Sequence, residues 1–143
     1  MAHVLRNCRI TFWNSFFPKF LTKRIFNCGH LYNNIALLII NVAVNYGGRD
    51  EIINAVRQII TDGVKIEDLN EEAISDRLYT KGQPDPDFII RPSGEYRLSN
   101  YLIWQSAYSE FWFANVLWPD FTPRDLERAI DDYNSRNRRF GGV

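Results

Sequence analysis

Two histidines, two cysteines and one methionine in 143 residues leave little material for a metal centre or a disulfide framework. The histidines are His3 and His30, and Cys8 and Cys28 form no C-x-x-C pair, so neither a zinc site nor a cystine scaffold is supported. Long apolar runs are missing too. The longest, Ile35 to Ile40, continues past Asn41 through Val42-Ala43-Val44 and falls well short of the ~20 residues a membrane helix requires. Gly47-Gly48-Arg49-Asp50 lacks the spacing of both the dinucleotide fingerprint and the P-loop, and reads as a tight strand-to-helix turn. Repeats and low-complexity tracts are absent. These absences point to a soluble protein of a reducing, cytoplasmic compartment, and 45% hydrophobic residues are enough for one domain with a real core.

Acidic residues are missing from positions 1–40, which hold five basic residues and many aromatics, among them Phe12, Trp13, Phe16, Phe17, Phe20, Phe26 and Tyr32. The net charge of zero therefore hides a balance of −5 over residues 41–143. No helical or strand period runs through the first forty residues for long. A targeting presequence, a basic-aromatic membrane-surface segment and a divergent or mis-specified N-terminus all remain open. The third is favoured, which divides the chain into a divergent or poorly ordered segment, 1–40, and a folded part, 41–143.

From Ile35 onward the local signals agree with one another. Ile39 to Val44 reads as a buried strand of a parallel sheet, apolar on both faces apart from Asn41. Asp50 can cap a helix with Ile52, Ile53, Val56, Ile59 and Ile60 on one face, and Asp62-Gly63 stops it. Asn70 can cap a second helix that turns Ala73, Ile74 and Leu78 inward. Pro84-Asp85-Pro86 leads into a strand from Asp87 to Arg91. Asn100 to Ser109 reads as a helix and Phe111 to Phe113 as a strand. Thr122, Pro123 and Asp125 open a final helix with a capping box. Strands alternating with helices predict an α/β fold with a mainly parallel sheet flanked by helices.

In such sheets ligands collect beyond the carboxyl ends of the strands. The loop after the Phe88-Ile89-Ile90 strand concentrates Arg91, Ser93, Gly94, Arg97 and Ser99. Guanidinium forks, hydroxyls and a glycine backbone suit phosphate oxygens. The same composition also suits a surface loop whose arginines pair with Glu95. Glu110 could be a metal ligand, since hard cations take carboxylates, although a lone glutamate is usually a surface residue. The apolar run behind the loop, including Leu102, Ile103, Trp104 and Phe111 to Phe113, reads as core. It also suits a ligand with a charged head and a long hydrocarbon tail.

Three stretches, "NVAVNYGGRDEIINAV", "DPDFIIRPSGEYRLSNYLIWQSAYSEFWFANVLWPDF" and "NRRFGG", together resemble the C-terminal part of the cis-prenyltransferases. The likeness is greatest to the bacterial undecaprenyl diphosphate synthases (isoprenyl transferases), and it favours the anion site over the ordinary loop. The resemblance implies that Arg91, Arg97 and Ser99 hold the diphosphate of isopentenyl diphosphate. It implies that Arg139 and Gly141 close over that site from a partner subunit, and that Glu110 helps place Mg²⁺ across the interface of a homodimer. The implied reaction condenses isopentenyl diphosphate with an allylic diphosphate such as farnesyl diphosphate. Its product would be a long-chain polyprenyl diphosphate such as undecaprenyl diphosphate, a lipid carrier for cell-wall synthesis that implies peripheral membrane contact at most. No nucleic-acid partner is expected. The sequence departs from the family pattern at Pro92, where threonine or serine is common. It also lacks the D-G-N-x-R-W element that carries the family's catalytic, Mg²⁺-binding aspartate, so the chain alone is expected to be impaired. The alternative is a non-catalytic subunit that pairs with a complete prenyltransferase.

Overall fold

The computed structural model describes residues 10–12, 24–30 and 38–137, with side-chain environments from residue 41 onward. The chain forms two compact units. The first contains strands β1 (Ile10–Phe12), β4 (Phe88–Pro92) and β5 (Glu110–Ala114) and helix α3 (Pro123–Ser135). The second contains strands β2 (Arg24–His30) and β3 (Leu38–Val44) and helices α1 (Gly48–Thr61) and α2 (Glu71–Ser75).

In the first unit β4 lies at the centre of a parallel sheet ordered β1-β4-β5. Its register sets Phe88 beside Ile10 and Glu110, and Pro92 beside Ala114. All five residues of β4 are buried, as expected for a central parallel strand covered on both faces. The strand begins where Ser109 Oγ donates to the Pro86 carbonyl at 2.6 Å and the Glu110 N–H donates to that of Asp87 at 3.0 Å. Phe88, Ile90 and Ala129 form a fully buried core against which Trp112, Phe121, Leu126 and Tyr133 pack. Burying a side chain such as Phe88 or Ile90 contributes roughly 1.5–3 kcal/mol. Leu126, Ala129 and Tyr133 come from α3 at helical spacing, so one helix face closes over the sheet. The helix starts as its sequence dictates, with Pro123 in its first turn and the Asp125 carboxylate accepting from the Thr122 N–H at 2.9 Å.

In the second unit β3 pairs antiparallel with β2 over seven residues, from Arg24 opposite Val44 to His30 opposite Leu38. This corrects the expectation of a parallel strand at Ile39–Val44. A short continuous apolar run fixes extended backbone but says nothing of strand direction, which the partner decides. Strands β1 and β2, within residues 1–40, carry no period that marked them in advance.

Helix α1 ends at Asp62, and Gly63 follows with φ +66°, a left-handed conformation that suits glycine. Its start differs from expectation, because the N-cap is Gly47 and Asp50 lies in the first turn. The buried face also differs: Glu51, Ala55 and Ile59 are buried, whereas Ile53, Val56 and Ile60 are exposed. The cause is Glu51, fully buried, whose carboxylate accepts from the Tyr46 hydroxyl and, at 2.7 Å, from the Tyr79 N–H. A buried carboxylate must have partners, and theirs fix the rotation of the helix. The burial of Tyr46, first of all, and then its bond to Glu51 push the phenol pKa far above its usual range. In α2 the Asn70 side chain caps the Ala73 N–H at 2.8 Å, as expected.

The helix expected over Asn100–Ser109 is absent. Those residues run through successive turns, with φ +66° at Asn100 and +43° at Leu102. Left-handed residues cannot continue a right-handed helix, whatever the apolar spacing. Among the described residues no helix is long and apolar enough to cross a membrane.

Candidate functional site

The loop that follows β4 turns on two residues with positive φ, Ser93 at 98° and Gly94 at 68°. Their N–H groups donate to the carbonyls of Val116 at 2.7 Å and Ala114 at 2.8 Å, which ties the turn to the end of β5. Position 94 favours glycine: its φ is left-handed, and a Cβ there would lie 2.5 Å from Asn115 Oδ1, so the Asn115 side chain would have to move. The Tyr96 ring packs on Phe113 of β5 with centroids 5.0 Å apart. The loop is therefore shaped by the sheet and does not trail from it.

Within this frame the two arginines have different settings. Arg91 is 3% exposed and rises from the buried strand, while the Arg97 side chain is 62% exposed at the surface. Glu95 stands between them and accepts from Nη2 of both. Arg97 Nε donates to Ser99 Oγ at 3.0 Å. The hydrogen bond from Arg91, followed by the nearby Arg97 charge, holds the Glu95 carboxyl below its usual pKa. The pairing that suits an ordinary loop is thus present, and it also sets two guanidiniums and a hydroxyl side by side. Two positive charges against one negative leave the group cationic, with planar donor forks that phosphate oxygens match bidentately.

Glu110 is not part of this group. It opens β5 opposite Phe88, whereas Arg91 lies opposite Phe113. Three strand residues separate the two positions, about 10 Å at ~3.3 Å per residue. At its own end Glu110 accepts from Arg136 Nη1 at 2.7 Å, and Arg136 also reaches Asp132. Arg136 was not singled out in the sequence. Its signal is the arginine-rich run at the end of α3, which spacing alone does not connect to Glu110. Arg139 and Gly141 lie outside the described residues.

A magnesium ion needs hard oxygen donors, usually one or two carboxylates together with substrate phosphates and water. Here Glu110 offers a single carboxylate whose charge Arg136 already compensates. No group of three or more His, Cys, Asp or Glu residues that could hold a metal occurs among the described residues. The side chains described do not make a magnesium site on their own.

Residues 5–141 match the family model Prenyltransf, described as undecaprenyl diphosphate synthase. The isoprenyl transferase of Clostridium tetani is 52% identical over 130 residues, covering 88% of this chain and 51% of that protein. That of Clostridium acetobutylicum is 56% identical over 118 residues, covering 78% and 46%. The crystal structure of lavandulyl diphosphate synthase from Lavandula x intermedia, in complex with dimethylallyl diphosphate, superposes with a TM-score of 0.65 at 36% identity. That match covers 71% of this chain and 48% of the other. The chain spans about half the length of the curated relatives it matches. With the family match running through nearly all its residues, the chain belongs to the undecaprenyl diphosphate synthase family of cis-prenyltransferases.

Proposed function

We propose that the loop Arg91–Ser99 binds the diphosphate of isopentenyl diphosphate and that the chain serves a cis-prenyltransferase. The observation that carries this reading is the Arg91–Glu95–Arg97–Ser99 group, set at the carboxyl end of a central parallel strand. Family membership supplies the substrate class. In the proposed reaction the C1–O bond of an allylic diphosphate, such as farnesyl diphosphate, breaks and pyrophosphate leaves with the electron pair. The double bond of isopentenyl diphosphate attacks C1 to form the new C–C bond. Loss of a proton then leaves a cis double bond, and repetition gives a long-chain product such as undecaprenyl diphosphate.

Each residue has a limited role in this scheme. Arg91, held from below by the strand, fixes one side of the diphosphate. Arg97, exposed, meets it from solvent, and Ser99 orients Arg97 through the bond to Nε. The entering diphosphate takes over the donors that Glu95 now engages. Arg139 and Gly141 belong to the proposal as closing residues. Mg²⁺ carries no step here, since Glu110 is the only carboxylate the proposal can assign to it. A homodimer, in which the glutamate of one copy serves the loop of the other, enters the proposal from the family resemblance. A cytoplasmic setting, with membrane contact only through the product, completes the reading.

Calorimetric titration with isopentenyl diphosphate tests it. Arg97→Ala should lose roughly 1.5–3 kcal/mol of binding, the range for a charge-assisted hydrogen bond. Arg97→Lys should recover it only in part, because lysine keeps the charge and loses the fork. Lys65→Ala, outside the loop, should change little. Equal losses at Arg97 and Lys65 would return the loop to an ordinary surface role.

A further inference from the structure

We infer that Ser93 is a further binding residue of the diphosphate loop, its hydroxyl donating to a phosphate oxygen of the ligand. This role deepens the proposed reading of the loop Arg91–Ser99 and needs only the compact unit that carries β4 and β5. Ser93 follows Arg91 by two residues and precedes Glu95 by two. It therefore sits in the turn between the buried guanidinium and the carboxylate that accepts from it. Its φ is +98°, beyond the left-handed well near +50° to +70°, where asparagine and aspartate are the usual visitors apart from glycine. A serine there is strained, and such backbone persists only where its surroundings impose it.

The end of β5 is what imposes it. The Ser93 N–H donates to the Val116 carbonyl at 2.7 Å and the Gly94 N–H to that of Ala114 at 2.8 Å, so the turn straddles Asn115. Gly94 lies close against that residue, since a Cβ on it would come 2.5 Å from Asn115 Oδ1. The turn cannot relax without losing a bond to β5. Glycine meets this demand at position 94, with φ +68° and no side chain to strain. Position 93 makes a like demand and holds a serine. Nothing within the fold offsets that choice: Ser93 is exposed, and its hydroxyl makes no hydrogen bond among the described residues. Ser99, the other serine of the loop, also has positive φ, at 46°, but its oxygen already accepts from Arg97 Nε at 3.0 Å. A hydroxyl that is exposed, unengaged and held two residues from Arg91 suits a phosphate oxygen, to which it would donate a charge-assisted bond. The strained backbone is then the means of presenting it.

The full chain is titrated calorimetrically with inorganic pyrophosphate, and its melting temperature is read alongside. Ser93→Ala keeps the strained backbone and removes the hydroxyl. It should weaken pyrophosphate binding about tenfold, as the loss of one hydrogen bond to a charged group does, with little change in melting temperature. Ser93→Gly removes the hydroxyl and the strain together. It should raise the melting temperature by roughly 2–4 °C and still weaken binding as much as Ser93→Ala. A serine of merely structural importance would leave affinity intact in the stabilised Ser93→Gly chain, so a firmer fold that binds less well marks a ligand contact. Arg97→Ala reports separately on the loop. If Arg97→Ala weakens binding while either Ser93 variant binds as tightly as the unsubstituted chain, the loop reading stands and the role of Ser93 is overturned. A melting temperature lowered in Ser93→Gly also overturns it, because position 93 would then carry no strain to explain. If Arg97→Ala has no effect, the loop reading fails and the inference falls with it.

Discussion

At the scale of single residues, the carboxylate of Glu95 decides how the loop behaves without a ligand. Two guanidiniums side by side repel each other, and Glu95 accepting from both removes that cost. Its carboxyl is held below the ordinary value of 4.5, chiefly by the hydrogen bond from Arg91. A depressed carboxylate stabilises the folded chain above the unfolded pKa, and the contribution fades as pH falls through the lower native value. The melting temperature of the unsubstituted chain should therefore exceed that of Glu95→Gln at neutral pH, and the gap should close as pH drops below about 4.5. Scanning calorimetry across that range checks it, and a gap that persists undiminished at pH 2 would contradict the assignment. The arginines, the serine and the glutamate were all legible in the sequence. That Arg91 is buried while Arg97 is exposed was not, because that depends on which strand the loop leaves and how deeply it lies.

At the scale of elements, local chemistry was read correctly where it is local. Asn70, the Thr122–Asp125 box and Gly63 all do at helix ends what their side chains or φ allow. Apolar spacing served less well. In α1 it pointed to Ile53, Val56 and Ile60, yet the partners of Glu51 turn that stripe outward. In residues 100–109 the apolar residues at 101 and 102 are buried as a helix would bury them, but left-handed backbone makes turns instead. Hydrophobic period reports burial, not the rotation or hand of the backbone. Strand β4 was the clearest element, since an apolar run between a proline turn and a polar loop has few other readings. Ile90 there is fully buried against α3. Ile90→Ala should cost about 2–5 kcal/mol, the range for deleting a core isoleucine that leaves a cavity. Urea unfolding measures it, and a loss under 1 kcal/mol would mean that the sheet and helix close over the gap.

For the whole molecule, the motifs behind Arg91 carried the family, and the match to nearly all of residues 5–141 bears that out. The parallel sheet was legible because strands alternate with helices along the chain. The β2–β3 pairing was not, because it joins segments whose sequences carry no shared signal. The missing D-G-N-x-R-W element bears on activity. With farnesyl diphosphate, labelled isopentenyl diphosphate and Mg²⁺, the 143-residue chain alone should give little or no elongated product. Turnover comparable to that of a full-length relative would remove the motive for this expectation. Product appearing only when a complete family member is added would favour a subunit that works in company. One consequence of the sheet register remains. Arg91 lies near the end of β4 and Glu110 opens β5, three residues apart in their shared register, about 10 Å along the strands. Each end carries its own counter-charge, Glu95 for Arg91 and Arg136 for Glu110, so an anion settling on the loop competes with the first pair and displaces no partner of the second.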